Sequence, residues 1–469
     1  MFGRMTAGAL MLAALCARAE SDAKSASPAK WNDWPCFLGP ERNGSSPEKG
    51  LLREWPEGGP KVLWKTPVGR GYGAPSVSRG EAFFLGSTAT GRCVWCLDAF
   101  TGEVRWQFKY DTRKEDKLAA KRIVPGWGYC PRATVTPDDA CVYSIDEIGE
   151  LYCLDRKTGK EIWFRDLDTD YKPDHNDWKG WCASPVLSAG IVVLPVFSGA
   201  ASPGQDAADL AGLDAKTGKT VWEYADKLGA KETKRTGGGS GALFVTPLPV
   251  DFGGERCVLW PGRKGLAALK VEDGKKVWEY ADKVPMGWQM SPQIKDNQVY
   301  LGRLLNVDRT TRPFETRVLW EPAFPYGAYT YSIPVRCGDY LYAMLYMQNS
   351  CIGDHGSLHN VRLSCIDAKT GQEVWKKEDL PHGASIMTAD GLLFVRAGNS
   401  LYLLEATADG YREKGKVGGA VAQDLSGWVM PALAYGRLFV RYDGQVVCHQ
   451  AAVDLPSREQ IGVAEGSRK

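Results

Sequence analysis

The chain has 469 residues, and its 58 lysines and arginines nearly balance its 56 aspartates and glutamates, giving a formal net charge of +2. A charge so close to zero excludes a protein that holds nucleic acid or an anionic membrane surface by general attraction. The 53 glycines and 17 tryptophans indicate a turn-rich β-protein in which many indole rings pack between neighbouring units.

Residues 1–19 have the pattern of a signal peptide. Arg4 supplies a positive charge, Thr6 to Leu15 is a short apolar core, and Ala17 and Ala19 are small cleavage-site residues. The alternative is a buried strand or short helix. Because Leu15 rather than a small residue precedes the cysteine at 16, lipidation is not favoured. No later apolar run reaches the roughly 18 residues of a transmembrane helix. We therefore expect export, periplasmic or secreted, after cleavage near Ala19.

Residues 20–60 form an N-terminal extension with two different parts. Residues 20–30 are small and polar and are expected to lack a fixed structure. The following stretch, from Trp31 to Ser46, combines aromatic residues, prolines and glycines. We expect it to be ordered and to pack across the domain that follows.

Residues 61–450 contain a recurring pattern: an apolar residue, Asp, two residues, Thr-Gly, three residues and Trp. In each copy the aspartate can accept hydrogen bonds from backbone N–H groups of the turn, and the glycine supplies a positive φ. The tryptophan then begins a return strand and packs against a neighbouring unit. The clear copies have their aspartates at Asp98, Asp155, Asp214 and Asp367. In two degenerate copies, Lys270 and Glu405 take the place of the aspartate.

The spacing of the copies predicts the architecture. Successive copies are 57, 59 and 56 residues apart, and the 97 residues from Lys270 to Asp367 leave room for one lost copy, between Trp288 and Trp320. A strand pair near the C-terminus makes eight units. The last lacks its tryptophan strand, and Val62–Lys65 supplies one from the other end of the chain. With about 49 residues a unit, this predicts an all-β, eight-bladed β-propeller of four-stranded antiparallel blades, closed by an N-terminal strand. Residues 451–469 would be a C-terminal tail.

The repeated Ala-Leu-Asp-Ala-x-Thr-Gly-x-x-x-Trp resembles the pyrroloquinoline-quinone-like (PQQ-like) propeller repeat, over nearly all of residues 61–450. The N-terminal extension, with Trp34-Pro35, Gly39-Pro40 and Asn43-Gly44, is similar to that of many large bacterial propeller proteins of unassigned role. Two branches share the repeat. One is the quinoprotein alcohol dehydrogenases, and the other is non-catalytic and includes the propeller subunit of the outer-membrane protein assembly machine.

The resemblance is closer to the non-catalytic branch. The dehydrogenases hold pyrroloquinoline quinone and calcium with a disulfide of adjacent cysteines, Glu and Asn ligands and an Asp base, whereas this sequence has no Cys-Cys pair. We therefore expect no cofactor and a scaffold that binds envelope proteins or peptides. The alternatives are a PQQ-dependent dehydrogenase that oxidises alcohols or sugars, and a module that binds carbohydrate or another small ligand.

The inner strands would line a central channel, and aromatic residues recur just before them. Four tryptophans follow a glycine at this position, so they are expected to cluster at one mouth of the channel and to stack on a flat ligand or grip a peptide. Alternatively, these indoles fill the spaces between blades. The candidate residues are Tyr72, Trp127, Arg132, Trp181, Trp288, Gln289 and Trp428.

No catalytic residues or metal ligands are assigned. His355 and His359 would share a face only on a helix, and Gly353 and Gly356 disfavour one. The chain has 13 cysteines, and export permits disulfides. Four of them nevertheless occupy equivalent positions before the repeated aspartate, where other units have Gly or Ala, and are expected to be small, buried free thiols. These are Cys96, Cys153, Cys365 and Cys448.

Overall fold

The computed structural model describes most of the chain after residue 30. No helix among the described residues has both the length and the apolar character needed to span a bilayer. The described ranges are 31–111, 130–173, 180–196, 208–226, 245–262, 265–282, 291–310, 312–321, 332–346, 361–381, 383–418, 428–442 and 444–463.

These ranges form eight sheets, each with at least four strands, and the predicted eight-bladed propeller is confirmed. Two strands precede the first blade: β1 (Ser45–Ser46) and β2 (Val62–Pro67). Blade 1 contains β3 (Ser76–Ser78), β4 (Glu81–Thr88), β5 (Gly91–Asp98) and β6 (Val104–Tyr110). Blade 2 contains β7 (Thr136–Pro137), β8 (Cys141–Ile145), β9 (Glu150–Asp155) and β10 (Glu161–Asp166), followed by the short helix α1 (Leu167–Tyr171).

The middle blades repeat this order from the inner to the outer strand. Blade 3 contains β11 (Val186–Ser188), β12 (Ile191–Pro195), β13 (Leu210–Asp214) and β14 (Thr220–Tyr224). Blade 4 contains β15 (Leu248–Phe252), β16 (Glu255–Pro261), β17 (Leu266–Lys270) and β18 (Lys276–Tyr280). Blade 5 contains β19 (Gln293–Lys295), β20 (Gln298–Tyr300), β21 (Leu304–Val307) and β22 (Thr316–Trp320).

The last three blades complete the ring. Blade 6 contains β23 (Val335–Cys337), β24 (Tyr340–Tyr346), β25 (Val361–Asp367) and β26 (Glu373–Leu380). Blade 7 contains β27 (Ala384–Ala389), β28 (Leu392–Ala397), β29 (Ser400–Glu405) and β30 (Glu413–Val417). Blade 8 contains β31 (Ala432–Ala434), β32 (Arg437–Tyr442) and β33 (Gln445–Gln450), with a 3-10 helix beyond it at Glu459–Ile461.

The ring is closed by a strand from the other end of the chain, as the repeat count predicts. Strand β2 is the outer strand of blade 8 and pairs antiparallel with β33, with Trp64 opposite Cys448. This pairing covers the edge of β33, whose backbone groups would otherwise lack strand partners.

The seams between blades depend on the repeated tryptophan and glycine. The Nε1 of Trp163, in blade 2, donates a hydrogen bond to the carbonyl of Ala215, at 3.0 Å, in the turn of blade 3. A Cβ on Gly218 in the same turn would lie only 2.8 Å from the Trp163 ring, so only glycine permits this approach. The corresponding donor–acceptor pairs at other seams are Trp64–Ala99, Trp106–Arg156, Trp222–Val271 and Trp320–Ala368.

The seam between blades 4 and 5 is built differently, because blade 5 has lost the Asp-Thr-Gly turn. Trp278 donates instead to Oγ1 of Thr316, at 3.2 Å. Phe314 packs edge-on against Phe252, with ring centroids 4.8 Å apart. A cavity of about 380 Å³ remains beside Trp278, lined in part by Arg312 and Phe314. The lost copy was located correctly from the sequence, but its replacement packing was not predicted.

Hydroxyl groups connect the inner ends of successive blades. The N–H of Ala74 donates to Thr134 Oγ1 at 3.1 Å, and the N–H of Thr134 donates to Ser184 Oγ at 2.9 Å. The series continues from Ser184 to Thr246 and from Thr246 to Ser291, at 3.0 and 3.1 Å. This chain of side-chain acceptors satisfies buried N–H groups and holds the inner strands of blades 1–5 in register.

The ordered part of the N-terminal extension covers one end of the channel, which we call the base. Strand β1 pairs parallel with the inner strand β27, with Ser46 opposite its last residue, Ala389. Trp34 is fully buried and exchanges backbone hydrogen bonds of 2.7 Å with Val77 in β3. A Cβ on Gly44 would lie 2.7 Å from Val335 at the end of blade 6 nearest the axis. These contacts join the extension to blades 1, 6 and 7 at the base.

A buried carboxylate anchors this extension. Glu48 is fully buried and accepts hydrogen bonds from the N–H groups of Asn32, Tyr435 and Gly436, at 2.9, 2.6 and 2.9 Å. Burial raises the pKa of Glu48 to about 7, although these three N–H donors and the nearby charge of Arg437 lower it.

The C-terminal tail also binds the base. Arg458 forms an ion pair with Asp98 in the first Asp-Thr-Gly turn, and its guanidinium lies 4.3 Å from the ring centre of Phe100. Burial alone would raise the pKa of Asp98, but hydrogen bonds from Arg458 and Arg105 lower it to about 2. Both ends of the described chain are thus fixed at the same end of the ring.

The four cysteines of the repeat are fully buried free thiols, as predicted from their position in the pattern. Burial raises the pKa of the Cys96 thiol well above its usual range. These side chains therefore act as small apolar residues of the core.

Substituting Gly218 tests the tryptophan seam. Gly218→Ala forces a methyl group against Trp163 at a φ of +68°, and should lower the free energy of unfolding by about 2–4 kcal/mol. Gly190→Ala is the matched control, because φ is +77° there but no atom lies within 4 Å of the added Cβ. It should cost only about 1 kcal/mol of backbone strain. Equal losses in urea denaturation would show that the indole contact contributes nothing.

Glu48 should make stability depend on pH. Its folded pKa of about 7 lies above its usual 4.5, so the stabilisation is fully present below about pH 4.5 and is lost as pH rises through 7. Relative to Glu48→Gln, the wild-type protein should lose up to about 3 kcal/mol of unfolding free energy between pH 5 and pH 8. Glu41→Gln, in an exposed position of the same segment, is the control. A wild-type-minus-Glu48→Gln difference that is constant with pH would contradict this role.

Candidate binding site at the channel mouth

Four side chains from neighbouring blades occupy one register position at the end of the channel opposite the base, which we call the mouth. They are Tyr72, Arg132, Cys182 and Trp428, from blades 1, 2, 3 and 8. In each of these blades, one residue of the inner strand pairs with the residue seven positions later, in the second strand. Each of the four side chains belongs to the residue four positions before that inner-strand residue. Equivalent backbone positions around a ring face the same axis, so these residues form half of the mouth.

Three of the four contact one another in a row. The rings of Tyr72 and Trp428 have centroids 6.1 Å apart at an interplanar angle of 57°. The guanidinium of Arg132 lies 5.5 Å from the centre of the Tyr72 ring on the side of blade 2, and its Nη1 donates to the carbonyl of Cys130 at 3.2 Å. All three side chains are half-buried. The row therefore presents two aromatic faces and one planar cation.

Trp181 lies elsewhere. It is one residue earlier than Cys182 in the register, its side chain is only 2 % exposed, and it packs in a core cluster formed by blades 2, 3 and 4. The backbone N–H of Trp181 donates to the carbonyl of Glu147 at 3.0 Å. For this residue the structure matches the alternative interpretation, in which the indole fills the space between blades. Trp127, Trp288 and Gln289 lie outside the described residues.

A second arginine lies directly behind Tyr72, and sequence reasoning missed it. Arg441, at the end of β32, is only 1 % exposed. Its Nη1 donates to the carbonyl of Leu85 at 2.9 Å, and its Nη2 donates to the carbonyl of Gly69 at 2.7 Å. Burial lowers the pKa of Arg441 to about 10, so the group stays charged at neutral pH. The only sequence signal for Arg441 is its position at the end of the predicted second strand of a blade.

The acidic residues near the mouth are engaged with one another and with an arginine. Glu147 is buried in an ion pair with Arg92, with 3.1 Å between Oε1 and Nε. Asp146 accepts hydrogen bonds from the N–H groups of Ile148 and Glu150, at 3.1 and 3.0 Å. Burial, together with Glu147 and Glu150, raises the pKa of Asp146 well above its usual range.

This donor set does not fit a calcium-held quinone. Calcium takes six to eight ionised or carbonyl oxygens, whereas the row at the mouth offers two aromatic rings and a guanidinium. The nearby Glu147 is already paired with Arg92. Across the described ranges, no three His, Cys, Asp or Glu side chains converge as a metal site.

Comparisons with known proteins support the fold and its family. A family model described as outer membrane protein assembly factor BamB matches residues 96–285, 149–325 and 359–455, in overlapping segments. A comparison with curated protein sequences gives no significant match.

Three solved structures share the fold at low sequence identity. BamB from Moraxella catarrhalis is 16 % identical, and the alignment covers 85 % of this chain and 99 % of that one, with a TM-score of 0.56. The quinohemoprotein alcohol dehydrogenase from Comamonas testosteroni is 16 % identical, with coverage of 91 % and 82 % and a TM-score of 0.59. A europium-containing methanol dehydrogenase is 14 % identical, with coverage of 88 % and 90 % and a TM-score of 0.58.

Two tryptophan substitutions should separate the core from the mouth. Trp181→Ala empties a buried site and should lower the free energy of unfolding by about 3–5 kcal/mol. Trp428→Ala removes a half-buried ring and should cost less than about 2 kcal/mol. Urea denaturation of both variants measures the difference. A loss at Trp428 as large as that at Trp181 would assign the mouth residue to the core as well.

Proposed function

The chain belongs to the family described as outer membrane protein assembly factor BamB, and from that premise we propose that it is an exported, non-catalytic scaffold. It would be periplasmic or secreted and would bind proteins or peptides of the cell envelope. A BamB structure covered almost completely by this chain supports an envelope role.

The observation that carries the proposal is the row of Trp428, Tyr72 and Arg132 at the mouth. Aromatic and arginine side chains are the residue types that dominate the binding energy of protein interfaces. Aromatic rings bury much area with few rotatable bonds, and the guanidinium offers several hydrogen-bond donors in a fixed plane. Among the described residues, β1 and the tail around Arg458 occupy the base, and we therefore place the partner at the mouth.

The competing function is quinone-dependent oxidation of alcohols or sugars. The fold of two dehydrogenases resembles this one, but a shared fold does not transfer chemistry. Among the described residues, no three His, Cys, Asp or Glu side chains converge to hold a metal such as calcium. A dehydrogenase also needs a base placed to accept the substrate proton. The carboxylates of Asp146 and Glu147 are buried in their own contacts instead.

Photo-crosslinking in cells that export the protein tests the binding site. A benzophenone amino acid replaces Tyr72 at the mouth or, as a control, Ile162, which is 49 % exposed on an outer strand. We expect adducts larger than the chain from position 72 and none from position 162. Adducts from position 162 alone would move the interface to the outer rim and contradict the proposal.

Enzymology tests the non-catalytic part separately. Purified protein is incubated with pyrroloquinoline quinone, calcium, an alcohol and a reducible dye. The rate should equal that of a mixture without protein. Dye reduction that requires protein, quinone and calcium together would overturn the scaffold assignment.

A further inference from the structure

The mouth combines a surface cation with a buried one. Arg132 stacks on the outer side of Tyr72, and Arg441 lies behind it, donating to the carbonyl of Gly73 at 3.3 Å. A Cβ on Gly71 would lie 2.8 Å from Nη2 of Arg441, so the guanidinium fills the space directly beneath this part of the mouth. One positive charge therefore lies over the Tyr72 ring, and a second lies beneath the backbone on both sides of Tyr72.

The charge of Arg441 is not neutralised by the described part of the chain. Its hydrogen-bond partners are backbone carbonyls, and it takes part in no ion pair there. Its Nε is buried without a hydrogen-bond partner. A buried guanidinium without a carboxylate is costly, and a nearby anion reduces this cost.

Two acids of blade 2 near the mouth, Glu147 and Asp146, are engaged in other contacts. Glu147 is paired with Arg92, and the two groups cancel each other's charge. Asp146 is fully buried and bonded to backbone N–H groups of its own turn. In the described part of blades 8, 1 and 2, the buried charge of Arg441 therefore forms no ion pair with a carboxylate.

We propose that the mouth binds an acidic peptide segment of a partner protein through glutamate or aspartate carboxylates. This inference specifies the chemistry of the partner that the proposed scaffold binds, and it rests on that proposed function. A carboxylate fits the planar fork of a guanidinium, while the faces of Tyr72 and Trp428 cover the apolar stem and the peptide plane beside it.

The charge distribution favours a short peptide over a long polyanion. The formal net charge is only +2, and the two arginines of this site, Arg132 and Arg441, lie close to the single residue Tyr72. A polyphosphate or nucleic acid backbone would need cations spread along a groove. A few residues of an acidic segment are enough to place one carboxylate beside the two aromatic faces.

A pair of labelled peptides tests this directly. One fluorescein-labelled octapeptide alternates glutamate with glycine, and the other replaces each glutamate with glutamine. Fluorescence anisotropy with the full protein, at low ionic strength, should give at least tenfold tighter binding of the glutamate peptide. Arg132→Gln should weaken that binding at least tenfold, and Arg132→Lys, which keeps the charge but not the fork, should weaken it less. Arg312→Gln makes the same charge change at a residue on blade 5 and should have no effect.

The outcomes separate this inference from the proposed function. Equal binding of both peptides, or no binding of either, overturns the acidic-peptide inference. If crosslinks from position 72 persist in that case, the scaffold function stands with a different partner chemistry. Undiminished binding of the glutamate peptide by folded Arg132→Gln would also overturn the inference, because the carboxylate would then bind elsewhere.

Discussion

The contact between an outer-strand tryptophan and the glycine of the next blade's turn is the interaction on which the ring depends. The indole both covers the turn and donates to a backbone carbonyl, as Trp106 does to Arg156 at 2.7 Å. This contact recurs around the ring and, together with the hydroxyl groups that join the inner strands of blades 1–5, holds neighbouring blades against each other. The relative positions of the residues at the mouth therefore depend on these seams.

The two ends of the channel differ because the described parts of the N-terminal extension and of the C-terminal tail both lie at the base. Glu48 and β1 hold the N-terminal extension at the base, and Arg458 holds the tail there. Closure through β2 also places blade 8 beside blade 1, which brings Trp428 against Tyr72 and Arg441 behind it. Ring closure and the candidate site therefore come from the same arrangement of the chain.

The sequence predicted what recurs and missed what occurs once. The pattern of Asp, Thr-Gly and Trp identified the hairpins, the number of blades and the closing strand, because each feature is local and repeated. The parallel pairing of β1 with β27 joins residues more than 300 positions apart, so no local pattern reveals it. Trp181 and Trp428 read alike in sequence, but a shift of one register position buries the first and turns the second toward the mouth.

The most direct test of a functional mouth uses its own cysteine. Cys182 is half-buried in the same register as Tyr72 and Arg132, whereas the repeat cysteines are fully buried. A bulky maleimide is reacted with the folded protein, mass mapping locates the label, and binding of the glutamate peptide is then measured beside a Cys182→Ala control treated identically. The account predicts labelling at Cys182 and loss of binding in the wild-type protein only. Full labelling of Cys182 with undiminished binding would contradict it.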